Sequence, residues 1–337
     1  PWVTFGSMVV EGQKEPRTES VAPAATLRCH DASVTDVAFI HQHNALLSAA
    51  ADGRLALSSL ATFRAHTTIV AHDSVLSVHA SADGATALSH GRDGRLKMWD
   101  LATAKLVWDE PFESLSFCKC AVSPSSALVA LPSASATEVV LWDLRQRQAA
   151  CTLEPAALLE RAGMCMCLHF LDASSLLAGL EDGTLQHFDL RAGSAPFVRK
   201  LHSEPLLCVD TDASGRRAIT GAADRKLCVV RLDGADAIGP PQELAIPVTS
   251  EKSGAGGISS VSVRADDKVV ASGGWDRRVR VWQWRGLKPL AVLKGHSETI
   301  NAVRWSGCSE WLASGSADKT VSLWRLKFKP SRPEKDG

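Results

Sequence analysis

The chain repeats itself. A polar turn built on Asp is followed, six residues later, by a position that favours a large apolar side chain. Asp52, Asp93, Asp182, Asp224, Asp276 and Asp318 head six copies, and Ser58, Trp99, Phe188, Val230, Trp282 and Trp324 fill the sixth place after them. A seventh copy, ending at Leu144, has Trp142 but Ala136 where Asp is expected. Most neighbouring copies lie about 42 residues apart, with a longer step between the fifth and sixth. Between turn and aromatic the runs are short and β-rich, such as VVLW, VRVW and VSLW, bounded by Asp-Gly or Asp-Lys. No sustained helical periodicity competes; only Pro155 to Arg161 suggests one helical turn in a connection. A length of 337 residues exceeds one ordinary compact domain. It suits either two domains or one large β architecture.

A period of about 40–45 residues that closes on Trp-Asp is the signature of WD-repeat blades, each a four-stranded antiparallel sheet. The expected fold is all-β: a seven-bladed WD-repeat β-propeller. Ala25 to Leu27, ahead of His30, looks like the outer strands that precede His202 and His296. It is expected to join the last blade and close the ring, so that no sheet edge stays free. The propeller then spans 25–326, with flexible tails at 1–24 and 327–337. The long step, roughly Gly234 to Gly257 with Pro240-Pro241, is expected to be a mobile surface loop.

The recurring polar residues have a structural use. His72, Ser89, Asp93 and Trp99 in the second blade, and His296, Ser314, Asp318 and Trp324 in the seventh, stand at the spacing of a hydrogen-bonded tetrad. Asp accepts from His, His pairs with Ser, and Ser accepts from the indole, which satisfies buried polar atoms. The fifth blade keeps His202, Thr220 and Asp224, and the sixth keeps Ser272, Asp276 and Trp282. The third and fourth are the most degenerate. A catalytic use of His296, Ser314 and Asp318 is the weaker reading.

Composition removes other classes. Lys+Arg and Asp+Glu are both 37, a balance that disfavours direct binding to nucleic acid or to an acidic membrane. Nine Cys, an odd number in a long chain, read as reduced thiols in an intracellular protein. Cys118-Lys119-Cys120 and Cys165-Met166-Cys167-Leu168-His169 fall on adjacent blades, where a zinc site is imaginable, but the usual ligand spacing is absent and core packing is the expected role. There is no GxxxxGK[ST] loop and no G-x-S-x-G elbow, so no enzyme, catalytic residue, cofactor or metal is expected. Residues 1–24 lack the heptads with which a heterotrimeric Gβ subunit would wrap a γ partner. They also lack the basic start and apolar core of a signal peptide.

Several strings are more particular. Leu88-Ser89-His90-Gly91-Arg92-Asp93, the run Gly274-Trp275-Asp276-Arg277-Arg278-Val279-Arg280-Val281-Trp282 with Pro289-Leu290-Ala291-Val292-Leu293, Gly163-Met164-Cys165-Met166-Cys167-Leu168, Leu177 to Gly183, and Arg64-Ala65-His66 resemble segments of the ASTRA-associated protein 1 group, also called G-protein β-subunit-like protein 1. The resemblance covers about residues 25–326. Ser58 and the 234–257 loop depart from the pattern. The resemblance implies a non-enzymatic scaffold or adaptor, monomeric alone, in the nucleus and cytoplasm. Its implied partners are proteins: ASTRA and TTT co-chaperone components, and the phosphatidylinositol-3-kinase-related kinases whose maturation they support in DNA-damage signalling and chromatin work.

Candidate contact residues follow from composition. Trp275 has no tetrad role, because Trp282 fills it. With Arg92, Arg277, Arg278 and Arg280 it has the make-up of a protein-binding hot spot; the other reading is a packed indole and a solvated arginine face. Trp142-Asp143-Leu144-Arg145 and Phe188-Asp189-Leu190-Arg191 end consecutive blades, and the WDxR string resembles the box of propeller substrate receptors in cullin-RING ubiquitin ligases. Arg145 and Arg191 are the contacts which that alternative would use.

Overall fold

A computed structural model describes residues 2–3, 21–112, 114, 116–124, 127–135, 138–155, 163–191, 193, 195–232, 238–246 and 256–328. It contains seven four-stranded antiparallel sheets, the blades of a propeller. Blade 1 runs from the channel outward as Val34–Ile40, Ala45–Ala50, Arg54–Ser59 and Arg64–Val70. Blades 2 to 6 repeat that order, with inner strands at Val75–Ala80, Ala121–Val122, Cys165–Phe170, Leu206–Thr211 and Ile258–Val263. Blade 7 takes three strands from the C-terminal end, Ile300–Trp305, Trp311–Ser316 and Val321–Arg325, and its outer strand from Ala25–Leu27. Ala25 pairs with Leu323, Thr26 with Ser322 and Leu27 with Val321. The ring is therefore closed by chain ends that are almost the whole sequence apart.

The core lies between blades rather than inside one. Leu47, Leu55, Val75 and Val78 fill the seam of blades 1 and 2, and Leu293, Val279, Val303 and Trp324 fill that of blades 6 and 7. This follows from strand alternation: a sheet in a ring is covered on both faces, so both sets of side chains are apolar.

Six inner strands share a bulge one residue in from their start, at Val34/Asp36, Val75/Ser77, Cys165/Cys167, Leu206/Cys208, Ile258/Ser260 and Ile300/Ala302. The inserted residue breaks the two-residue alternation. Positions three apart, not two, then face the channel: Asn301 and Arg304 line it together, as do Met166 and His169.

Two expectations change. The segment read as a loop between blades 5 and 6 holds the outer strand of blade 5, Gln242–Ala245, paired with residues 226–229, and Ile238 is buried after a bridge to Leu232. Its remainder, 233–237 and 247–255, lies outside the described residues, as do Ala136 and the one-turn helix expected within 155–161, apart from Pro155 itself. The tails also carry pairing. Val21 is buried and bridges Leu293, and Trp2–Val3 runs parallel to Lys327–Phe328. Residues 4–20 and 329–337 lie outside the described residues.

Candidate interaction surface

In blade 2 the Trp99 indole N–H donates to Ser89 Oγ at 2.9 Å, Ser89 Oγ lies 2.7 Å from His72 Nε2, and His72 Nδ1 lies 2.9 Å from Asp93. Blade 7 repeats the chain through Trp324, Ser314, His296 and Asp318, at 2.9, 2.8 and 2.9 Å. One direction of donation satisfies every atom: indole to Ser, Ser to His Nε2, His Nδ1–H to Asp. That direction needs a neutral His. Burial pushes both His72 and His296 below their usual value, against the pull of Asp93 and Asp318. The connectivity is that of a hydrolase triad, but Ser314 is fully buried and its oxygen is already held by an indole. No substrate atom can approach it.

Blade 1 has the chain without its indole. His30 meets Ser48 at 2.8 Å and Asp52 at 3.3 Å, and Ser58 stands buried in the Trp place. Blade 5 keeps His202 between Thr220 and Asp224, at 2.8 and 3.1 Å. In blade 6 Trp282 still donates to Ser272, but the turn carboxylate of Asp276 is met by Arg280, with Nη2–Oδ2 at 2.6 Å and Nη1–Oδ1 at 3.1 Å. Arg280 is 2% exposed. This corrects its place among the contact residues: it sits inside the blade, neutralising the Asp that His serves elsewhere, and no partner can reach it.

The remaining candidates fall on two opposite faces. The upper face carries the turns between second and third strands and the loops that lead into each inner strand. There Arg92 and Arg277 are exposed, and Arg278 and Trp275 are half-buried. Arg145 and Arg191 are exposed on the lower face, in the turns before the outer strands of blades 3 and 4. The backbone N–H of each is held by Asp143 or Asp189, and Arg191 Nη2 donates to Ser174 Oγ at 2.6 Å.

The upper face also contains a residue that the sequence did not mark. Phe117 is 59% exposed, with the Arg92 guanidinium stacked over its ring at 4.5 Å. It lies in the loop that enters blade 3, where no repeat position exists to compare it with. Phe117 and Trp275 both line the mouth of the central cavity, of about 700 Å³. The Trp275 indole lies flat on Gly257, where a Cβ would come within 2.6 Å of the ring.

Inside the mouth, Lys119 reaches across the channel from blade 3. Its ammonium donates to Thr35 O at 2.7 Å, to Asp36 Oδ1 at 3.0 Å and to Asn301 O at 3.3 Å, so one side chain ties blades 1, 3 and 7. Burial would raise the Asp36 carboxyl, but Lys119 and Arg304 outweigh it and hold it below the usual range.

The thiols of blades 3 and 4 are dealt into different seams. The bulge turns Cys165 toward Cys118 and Ala130 in the seam of blades 3 and 4, and Cys167 toward Leu206 in that of blades 4 and 5. Cys120 meets Ser77 of blade 2 at 3.1 Å. Among the described residues no three His, Cys, Asp or Glu side chains converge on a point where a metal would sit.

Comparison with known proteins agrees with this architecture. The WD domain, G-beta repeat family matches residues 22–57, 58–100, 247–283 and 287–325. Guanine nucleotide-binding protein subunit beta-like protein 1 of Mus musculus is 33% identical over 293 residues, covering 83% of this chain and 87% of that protein. ASTRA-associated protein 1 of Verticillium alfalfae is 26% identical over 91% of this chain and 93% of that protein. The protein of the same name from Schizosaccharomyces pombe is 26% identical over 90% of this chain and 98% of its own length.

Proposed function

This chain belongs to the family of guanine nucleotide-binding protein subunit beta-like protein 1, and on that footing we propose that it is a scaffold that docks proteins on its upper face. The ring of WD repeats and the likeness to ASTRA-associated proteins support a scaffold role. Its partners are ASTRA and TTT co-chaperone components. Its task is the maturation of phosphatidylinositol-3-kinase-related kinases, in the nucleus and the cytoplasm. It is not an enzyme: the His–Ser–Asp chains are buried and serve the blades.

The observation that supports the upper face is the pairing of Phe117, stacked by Arg92, with Trp275 at one channel mouth. Aromatics backed by Arg around a pocket are what carry binding energy at interfaces. The lower face offers Arg145 and Arg191, with Phe197 36% exposed at the start of the blade 4 outer strand, away from the channel mouth.

The test is capture from cell lysate with the full chain as bait, read by mass spectrometry. TTT subunits and the large kinases are expected, and a Phe117→Ala/Trp275→Ala chain should retain roughly a tenth of them or less while melting near the parent. An Arg145→Glu/Arg191→Glu chain should capture them as the parent does. Recovery of a cullin adaptor in their place, lost in that second variant, would replace this reading with the substrate-receptor one.

A further inference from the structure

The charges that line the channel balance in number, but one of the cations lacks a hydrogen-bond acceptor among the described residues. Four carboxylate, ammonium or guanidinium groups line it: Asp36, Lys119, Asp210 and Arg304. Asp36 and Lys119 are matched at 3.0 Å. Asp210 is met by the backbone, Oδ2 accepting from Val263 N at 2.7 Å and Oδ1 from Thr211 N at 2.9 Å, with His169 Nε2 3.6 Å away. Arg304 has no such arrangement. Among the described residues, none accepts a hydrogen bond from its guanidinium.

Its position is nevertheless central. Arg304, from blade 7, lines the same cavity as Asp36, His79, His169 and Cys208, on blades 1, 2, 4 and 5. It is half-buried, so water serves it poorly. A guanidinium presents a planar fork of donors that fits a carboxylate with two parallel bonds.

Arg304 is the cation of the channel left to receive a ligand. The two other cationic candidates, His79 and His169, are both pushed below the ordinary imidazole value by burial and carry no charge at neutral pH. Lys119 is already held by Asp36 and two backbone carbonyls, so Arg304 is the cation with donors to spare. A carboxylate brings a single negative charge into a lining whose two anions already equal its two cations; a phosphate dianion would bring twice that.

The geometry points to a carboxylate site: Arg304 receives the side chain of one Asp or Glu from an extended acidic segment of a partner protein, which enters the channel over Phe117 and Trp275. The inference rests on the reading of the upper mouth as the docking surface and gives that partner a chemistry. The same cavity runs from the two aromatics to Arg304, so one segment can contact all three.

Calorimetry on the full chain tests it, with hexaglutamate, hexaglutamine and inorganic phosphate as probes. Hexaglutamate should bind, and the other two should not. Arg304→Gln should weaken hexaglutamate binding by roughly tenfold or more, and Arg304→Lys should restore part of it, since a point charge replaces the fork. Equal heat from hexaglutamine, or unchanged binding by Arg304→Gln, overturns the site. Phosphate binding as tight as hexaglutamate also overturns it, in favour of a free oxyanion. If Arg304→Gln does not fold, Arg304→Lys decides: it must bind more weakly than the parent. Silence with hexaglutamate, while lysate capture of the TTT subunits persists, removes the channel site and leaves the scaffold reading standing.

Discussion

At the residue scale, the buried polar chains show what a repeat must keep and what it can exchange. Trp99 and Trp324 each end a chain in which every donor has an acceptor, so the indole can be buried at little cost. Ser58 and Val230 replace that indole in blades 1 and 5, and the His–Asp half persists without it. Arg280 shows the complementary exchange: the carboxylate stays, and an arginine two strand positions before Trp282 takes the place of His. The tetrads were legible because their residue types recur at fixed offsets within one blade. The use of Arg280 was not, since an Arg in a run of three arginines looks solvated until the strand's alternation turns it inward. Asp318→Ala removes the acceptor of His296 Nδ1 and of the Ser297 N–H, and should cost about 2 kcal/mol and several degrees of melting temperature. Asp31→Ala breaks only the exposed pair with Arg54 and should melt with the parent. Equal melting of both variants and the parent would refute a structural role for the chain.

At the element scale, one turn position is solved in two ways. The residue after the turn Asp takes a left-handed conformation in every blade where it is described. Gly53, Gly94 and Gly183 supply it in blades 1, 2 and 4, at φ 79°, 67° and 89°. Arg225, Arg277 and Lys319 supply it in blades 5, 6 and 7, at φ 65°, 69° and 71°. A side chain there costs about 1 kcal/mol relative to glycine where space allows it. At Gly53 space does not: a Cβ would lie 1.9 Å from the His72 carbonyl oxygen. Gly53→Ala should therefore lose stability well beyond that strain, whereas Arg277→Gly should gain up to about 1 kcal/mol, both read from denaturant midpoints. If Gly53→Ala unfolds like the parent, the close approach of the loop is wrong. The same scale explains what the sequence hid. Turn Asp and strand aromatic lie six residues apart, so the blades could be read directly. The channel lining could not: the bulge in six of the inner strands changes the spacing of channel-facing residues from two to three. Lys119 meets Asp36, and His79 meets the Cys120 carbonyl, across blades, at separations that no repeat encodes. Strand Gln242–Ala245 was missed for a related reason, since QELA has no β-rich character and is held only by its pairing.

At the scale of the whole molecule, the ring buries imidazole on every side and should be sensitive to acid. His30, His72, His202 and His296 in the polar chains are all lowered by burial, against the pull of their Asp partners. His90 is lowered furthest, to about 4; it is 1% exposed, and its ring meets Phe112 edge-on at 6.0 Å. A folded value below the unfolded one means that the unfolded chain binds the proton first. Stability is then full above about pH 6.5 and is lost as pH falls toward the folded value. For His90 alone that window runs from about 6.5 down to about 4 and is worth on the order of 3 kcal/mol. Asp36 adds a second, lower step with the same sign. Its folded value lies below the ordinary carboxyl value, so its contribution is complete above about pH 4 and disappears as pH falls through the folded value, when Lys119 loses its anion. Urea midpoints at pH 7.5, 6.0, 5.0 and 4.5 should thus fall steadily, and His90→Leu should flatten the fall without a comparable effect at pH 7.5. Asp36→Asn should behave differently: weaker than the parent at pH 7.5, where Lys119 is left without its carboxylate, and converging on it only below about pH 4. A parent whose midpoint holds constant from pH 7.5 to 4.5 would mean that these imidazoles reach water freely, which a closed ring of tightly seamed blades does not permit.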